Sequence, residues 1–317
     1  MNITFISFKS WIRLLSLIFC SICISGLGFA QMVEIGSPTS TASNYTIPVN
    51  NFYNYSYTQQ IYLAEDIGMP GTITTIRFYW TGGASGLEES DNWTIYMGHK
   101  VEDSFANADD WLAYSELTEV FSGTVALSTP ITTPQWVEIT LSTPFEYDGI
   151  SNLVIAGLEV ESGYPGTGST FRTTSVTTPG YRSIAYRSDG TAPDAASPPT
   201  GGFSNYTYNY YNNVQLELTP AESCEGEPSA GSISAPSGVC ALTAFTVTGS
   251  GSTIASGIVR TWQQRIPAGT GTWTTIPGAV GMNYNNTAGI TESVDYRLIV
   301  SCTASGISDT SNEVTVM

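Results

Sequence analysis

Tyr55-Ser56-Tyr57-Thr58-Gln59-Gln60-Ile61-Tyr62-Leu63 decides the fold class. Tyr55, Tyr57, Gln59, Ile61 and Leu63 recur every second residue. That period belongs to a β-strand and not to a helix, whose apolar positions recur every third or fourth residue. The same reading extends outward. Ile73 to Trp80 is β-branched and aromatic, Trp93-Ile95-Met97 and Val137-Ile139-Leu141 alternate with polar partners, and Val214-Leu216-Leu218 closes the region. Asn152 to Val160 is a nearly continuous apolar run, as in a strand buried on both sides. Between these lie Gly82-Gly83, Pro130, Pro134, Asp148-Gly149, Pro165-Gly166, Pro179-Gly180 and Asp189-Gly190, residues that supply the fixed or positive φ of turns. About nine or ten short strands with such spacing predict a jelly-roll-like antiparallel sandwich over residues 31–220. Ser104 to Tyr114, with Ala106, Ala108, Asp109 and Leu112, is the one stretch that reads as a short helix.

The strand pattern stops at Pro220, and Glu222, Glu225, Glu227 and Pro228 form a polar connector. Residues 221–317 have a pattern of their own: Phe245-Val247, Ile258 to Trp262, Trp273 to Ile276, Tyr296 to Val300 and Val314-Val316. Seven short strands in about 90 residues suit an immunoglobulin-like sandwich, with Trp262 between the sheets and Tyr296 at a corner where its hydroxyl bonds back to the backbone. The fold class is therefore all-β, a jelly-roll-like sandwich followed by an Ig-like one.

Composition narrows the function. Lys+Arg number 10 against Asp+Glu 27, a formal charge of −17. Such a surface repels nucleic acid and anionic membranes, which are recognised by cationic patches. Lys9 and Arg13 precede an apolar run from Leu14 to Ile24, and Gly28-Phe29-Ala30 places small residues before Gln31. Residues 1–30 thus read as a secretory signal peptide, too short in its apolar part to span a bilayer. Lipidation at Cys20 is disfavoured by the bulk of Phe19 before it. The expected location is the secreted or cell-surface space, without membrane insertion once the signal is removed.

Cys224, Cys240 and Cys302 remain in the mature chain, and an exported setting permits a disulfide. In an Ig-like frame Leu298 occupies the usual cysteine position two residues after Tyr296. Cys302 lies four residues further along the same strand, about 13 Å away at ~3.3 Å per residue. That favours Cys224–Cys302, with Cys240 a buried free thiol, over the alternative Cys240–Cys302, since a bridge needs Cα atoms within about 7 Å.

At this point the residues resemble a known family. Cys224-Glu225-Gly226-Glu227-Pro228, Gly238-Val239-Cys240, Thr261-Trp262-Gln263-Gln264, Trp273-Thr274-Thr275-Ile276-Pro277-Gly278-Ala279 and Tyr296 to Cys302 resemble the Ig-like modules of Bacteroidota surface proteins. Tyr55 to Tyr62, Ile73 to Phe78, Ile95-Tyr96-Met97-Gly98-His99, Pro144 to Gly149 and Asn152 to Ala156 are similar to a common partner module of such proteins. The resemblance implies an adhesin-like protein exported by type IX secretion. In that pattern a C-terminal sorting domain follows, whereas this chain stops at Val316-Met317.

Candidate chemistry is sparse. His99 is the single histidine, and as a residue just after a strand it reads as a surface turn position rather than a general base. Gly249-Ser250-Gly251 and Gly269-Thr270-Gly271 read as hairpin turns rather than phosphate cradles. Glu88-Glu89-Ser90-Asp91-Asn92, Glu102-Asp103 and Asp109-Asp110 offer oxygen ligands to a structural calcium ion, although solvated loop charge is the simpler reading and no EF-hand spacing is present. No cofactor is expected. Tyr206, Tyr208 and Tyr210 fall on one face of an extended segment and are candidate ligand-contact aromatics for an extracellular protein or glycan; the simpler reading is that such rings cover an edge strand. The expected function is non-catalytic, adhesion or scaffolding through sandwich surfaces. A carbohydrate-binding module attached to a larger secreted hydrolase or adhesin is the rival.

Overall fold

The computed structural model describes residues 29–317 apart from 84–85, 128–132, 164–168, 178–179 and 203–204. The expected signal peptide, nearly all of it, and the turn residues Pro130, Pro165-Gly166 and Pro179 lie outside the described residues.

The first body contains β1 (Gln31–Ile35), β2 (Ser43–Asn44), β3 (Tyr55–Tyr62), α1 (Ala64–Ile67), β4 (Gly71–Gly82), β5 (Asn92–Lys100), β6 (Leu117–Thr124), β7 (Gln135–Tyr147), β8 (Asn152–Glu159), β9 (Thr170–Ser175), β10 (Ser183–Ser188), β11 (Asn205–Tyr208), β12 (Tyr210–Asn212) and β13 (Val214–Pro220). One sheet runs β1-β13-β4-β9-β12, with β7 also on β4 and β2 on β9; the other runs β11-β10-β3-β8-β5-β6. All pairings between them are antiparallel, and the chain crosses from one sheet to the other at Asn209, between β11 and β12. Ile73, Ile76, Phe78, Trp80, Trp93, Ile95, Met97, Ile155, Phe171, Val214 and Leu216 fill the space between the sheets.

Strand β3 is buried on both faces, although its period-2 pattern suggests one solvated side. The reason is a covering layer. Gln59 accepts from the Leu112 N–H at 2.8 Å and donates to the Leu112 carbonyl at 3.1 Å, and Trp111 stacks on Tyr57 at 4.9 Å. Phe105 and Leu112 pack on Ile61, Val154 and Ile184. Segment 104–114 therefore does not form the expected helix. Asp110 accepts from the Ala106 N–H and Asn107 from the Asp109 N–H, so side chains take the donors that a helix would use. The four-residue α1 after β3 is the α-helix of the described residues.

The second body has β14 (Ser232–Ser234), β15 (Phe245–Ser250), β16 (Ile258–Ile266), β17 (Thr272–Thr275), β18 (Tyr284–Asn286), β19 (Val294–Cys302), β20 (Ser308–Thr310) and β21 (Val314–Val316). Sheet β14-β15-β18 faces sheet β17-β16-β19-β20, with β21 also on β19. This is the Ig-like arrangement, in eight strands rather than seven. Trp262 is fully buried and gives its indole N–H to the Gly281 carbonyl at 3.0 Å. Gly269-Thr270-Gly271 joins β16 to β17 as a hairpin, whereas Gly249 and Ser250 end β15, whose neighbours are β14 and β18.

Cys224 and Cys302 form a disulfide with Cα atoms 5.8 Å apart. Cys240 is free and exposed, not buried, because it lies in the turn before β15.

Candidate functional site

Two places gather polar and aromatic side chains: an open edge of the first sandwich, and the junction between the two bodies.

At the edge, β11 pairs with β10 in the register Tyr208↔Ser183 and Tyr206↔Ala185, so both rings point to the inner side of their sheet. Tyr210 follows on β12, at the edge of the opposite sheet. The three rings form one ladder, Tyr206 to Tyr208 at 6.2 Å and Tyr208 to Tyr210 at 4.9 Å between centroids. Interplanar angles of 19° and 31° stack them along the strand, so ring faces are turned toward each other, and the Tyr210 hydroxyl is buried. All three are half-buried. Arg187, which sequence reasoning missed, sits 4.4 Å over the Tyr206 ring and 4.5 Å over Tyr53, and gives a hydrogen bond to the Tyr206 hydroxyl at 3.1 Å. Tyr53 touches Phe52, which touches Tyr45. The two Asn/Tyr-rich stretches of the sequence thus meet across Arg187. Burial pushes the Tyr208 phenol above its ordinary value, so it remains a neutral donor.

At the junction, the Asp148 carboxylate is fully buried. It accepts from the Ile150 N–H at 2.9 Å, the Ser151 N–H at 2.8 Å and the Ser151 hydroxyl at 2.8 Å. A fourth donor, the Met282 N–H at 3.3 Å, belongs to the second body. Burial pushes Asp148 up, but His99, these donors and Arg260 outweigh it and hold the carboxyl below the usual range. Arg260 is buried on the inner face of β16, donating to Ser252 at 3.2 Å and to the Thr253 carbonyl at 3.0 Å. Asp148 and Arg260 thus attract across the junction.

His99 is within β5, not in a turn, and its ring lies 5.0 Å from Phe145 and 5.9 Å from Tyr147. The Asp148 backbone N–H donates to its Nε2 at 3.2 Å, which requires an unprotonated nitrogen there. Burial accordingly lowers its pKa. Asn283 donates to Glu116 and Asn285 to Glu102, each at 3.3 Å, extending the contact. Lys100 balances Glu102 at 3.3 Å and Asp110 at 3.6 Å, so these expected calcium-cluster carboxylates already have partners. Asp109 is likewise spent on the Gly201 N–H and the Asn205 amide. Shallow clefts of about 340, 400, 480 and 350 Å³ surround this contact.

No family model matches the chain. No curated protein does either. Among solved structures 28 chains match, among them a β-1,2-glucanase from Parabacteroides distasonis at 10% identity and a TM-score of 0.21, covering 78% of this chain and 27% of that one. The chain thus spans about a quarter of the length of that structure, and a likeness this distant carries no argument about function.

Proposed function

We propose that the chain is a non-catalytic exported surface protein of the Bacteroidota adhesin type, working in adhesion or as a scaffold through the surfaces of its two sandwiches. The observation that carries this reading is the junction. A buried carboxylate of one body caps a backbone N–H of the other, with a buried guanidinium facing it. The connector adds to the lock, since the Ala221 N–H bonds to the Pro70 carbonyl at 3.0 Å and Ser256 to Glu222 at 2.9 Å. A presenting element gains from such a fixed angle, because partner contacts then need no ordering of the domains. The Cys224–Cys302 bridge supports an oxidising, extracellular setting. Two of the side chains lining the clefts are engaged: the His99 Nε2 accepts the Asp148 backbone N–H and Glu116 accepts the Asn283 amide.

The test has two arms. Antibody against residues 31–317 should label intact, unpermeabilised cells or the medium; a purely cytosolic signal overturns the proposal. Purified protein incubated with β-1,2-, β-1,3- and β-1,4-linked glucan oligosaccharides should release no new reducing ends. Hydrolysis that Glu116→Gln or Glu146→Gln abolishes would make it an enzyme.

The aromatic edge favours a second reading, a glycan ligand held there. Convergence of Tyr53, Tyr206 and Tyr208 on Arg187 supports it; the mutual stacking of the ring faces weighs against a sugar lying flat on them. Specific sugar retention on a glycan array, lost in Tyr206→Ala, Tyr208→Ala and Tyr210→Ala, would promote it.

A further inference from the structure

Glu159 is the last residue of β8, and its side chain is fully buried. Register places it opposite Ser56 of β3 and Trp93 of β5, on the core side of the sheet. One carboxylate oxygen, Oε1, accepts from the Glu161 N–H at 2.6 Å. The other, Oε2, has no partner among the described residues. Its neighbours do not supply one. The Ser56 hydroxyl accepts from the Asn50 N–H at 2.8 Å, and the Trp93 indole donates to the Ser90 carbonyl at 2.7 Å. That last bond holds Ser90 beside Trp93, and the Ser90 hydroxyl is itself buried without a partner. Asn51, next to Asn50, anchors its Nδ2 on the Ser169 carbonyl at 2.8 Å, which leaves its buried Oδ1 as a third unpartnered oxygen.

Buried polar atoms are nearly always bonded, and each one left alone costs roughly 1–3 kcal/mol. The three residues lie at the same end of the first sandwich, where β8 stops and β3 and β5 start. The surroundings are electronegative, since Asp91 and Glu161 both act on Glu159 and no cationic side chain is among the groups that do. A cation there would stabilise the charged carboxylate.

We propose that this end of the first sandwich binds a calcium ion, with Glu159 Oε2, Ser90 Oγ and Asn51 Oδ1 as protein ligands and Asp91 supplying a second negative charge. The donors are all hard oxygens of mixed type, which suits calcium's flexible coordination by six to eight oxygens better than the strict octahedron of magnesium. Among the described residues no three Asp, Glu, His or Cys side chains converge, so the site leans on amide and hydroxyl oxygens and water. The Asn50 Nδ2, next to Asn51 in the chain, is also buried without a partner among the described residues.

The test uses the full mature chain at pH 8 after chelation. Calorimetric titration with calcium chloride should give one site per chain, and calcium at about a hundred times its Kd should raise Tm by about 5 °C or more. Affinity should fall at least about tenfold in Glu159→Gln and in Ser90→Ala, while Glu88→Gln, an exposed position of the same acidic run, retains the response. Absence of binding heat and of any Tm shift in the wild type overturns the proposal; a Tm gain from Glu159→Gln alone would then identify a neutral buried acid. A calcium response that survives intact in Glu159→Gln overturns it equally.

Discussion

Cys302 shows what a single residue contributes. Its bridge to Cys224 closes a loop of 78 residues. On the chain-entropy argument, removing both sulfurs (Cys224→Ala with Cys302→Ala) should lower the stability of the Ig-like body by about 4 kcal/mol. Urea unfolding monitored through the Trp262 fluorescence checks this; an unchanged midpoint would mean that the bridge adds nothing. Cys240 should behave oppositely. It is exposed, so native protein should take up one equivalent of iodoacetamide at this position, and Cys240→Ser should change stability by no more than about 0.5 kcal/mol. The pairing was legible because strand parity and the place of Leu298 put Cys302 out of reach of the strand that Cys240 precedes. The exposure of Cys240 was not, because it depends on where the turn before β15 ends, and Leu242 and Thr243 give no periodic signal. His99 escaped the sequence reading for a related reason. Strand β5 runs on past Gly98 to Lys100, paired with Leu153 and Asn152, and only the neighbouring strand fixes that extension.

At the scale of elements, the strands declared themselves and their coverings did not. Alternation in β3, β4, β5, β7 and β13 is a local property, so it can be read from the chain. The layer formed by residues 104–114 is a tertiary property: its Ala and Leu content suggests a helix, but Gln59, on a strand some fifty residues earlier, takes the Leu112 backbone groups and fixes an irregular path. Gln59→Ala should therefore leave a buried N–H and carbonyl unpaired, cost about 2–3 kcal/mol, and raise hydrogen exchange selectively over 105–112. Unaltered exchange there would argue that Phe105 and Trp111 hold the layer by packing alone. The tyrosine ladder is likewise half legible. Its common face follows from the spacing of Tyr206, Tyr208 and Tyr210, but the stacking of the rings on one another follows from the strand-to-strand crossing at Asn209. Tyr208, between two rings, should cost about 1–2 kcal/mol on replacement by Ala, and Tyr206 and Tyr210 less, if the ladder seals the open edge.

At the scale of the whole molecule, the two cores are separate clusters, and what makes them one body is a small set of groups far apart in sequence. Asp148, Arg260, Met282 and Asn283 read individually as a turn acid, a strand cation and loop residues; only the fold brings them together. Their coupling has a pH signature. Asp148 is held below its unfolded value, so the stability it lends is present above about pH 4 and is lost as pH falls through the folded pKa. His99 is lowered too, and a lowered base means that the unfolded chain binds the extra proton. Its share of stability is therefore complete above about pH 6.5 and declines as pH falls below that value. Both effects act in the same direction, and Arg260, cationic throughout, gains no relief from acid. Between pH 7 and pH 4 only the His99 share is lost, and below about pH 4 the Asp148 share follows, so acid should weaken the junction before either core. Calorimetry should then show one cooperative transition at pH 7 and two resolved transitions at about pH 3, with Asp148→Ala showing two already at pH 7. That variant leaves the Met282 N–H unpaired and removes the attraction of Asp148 for the buried Arg260, a loss of about 1–3 kcal/mol. A single transition retained by Asp148→Ala at both pH values would mean that the bodies are joined through the Glu102, Glu116 and connector contacts instead, and the rigid angle invoked for presentation would then rest on those.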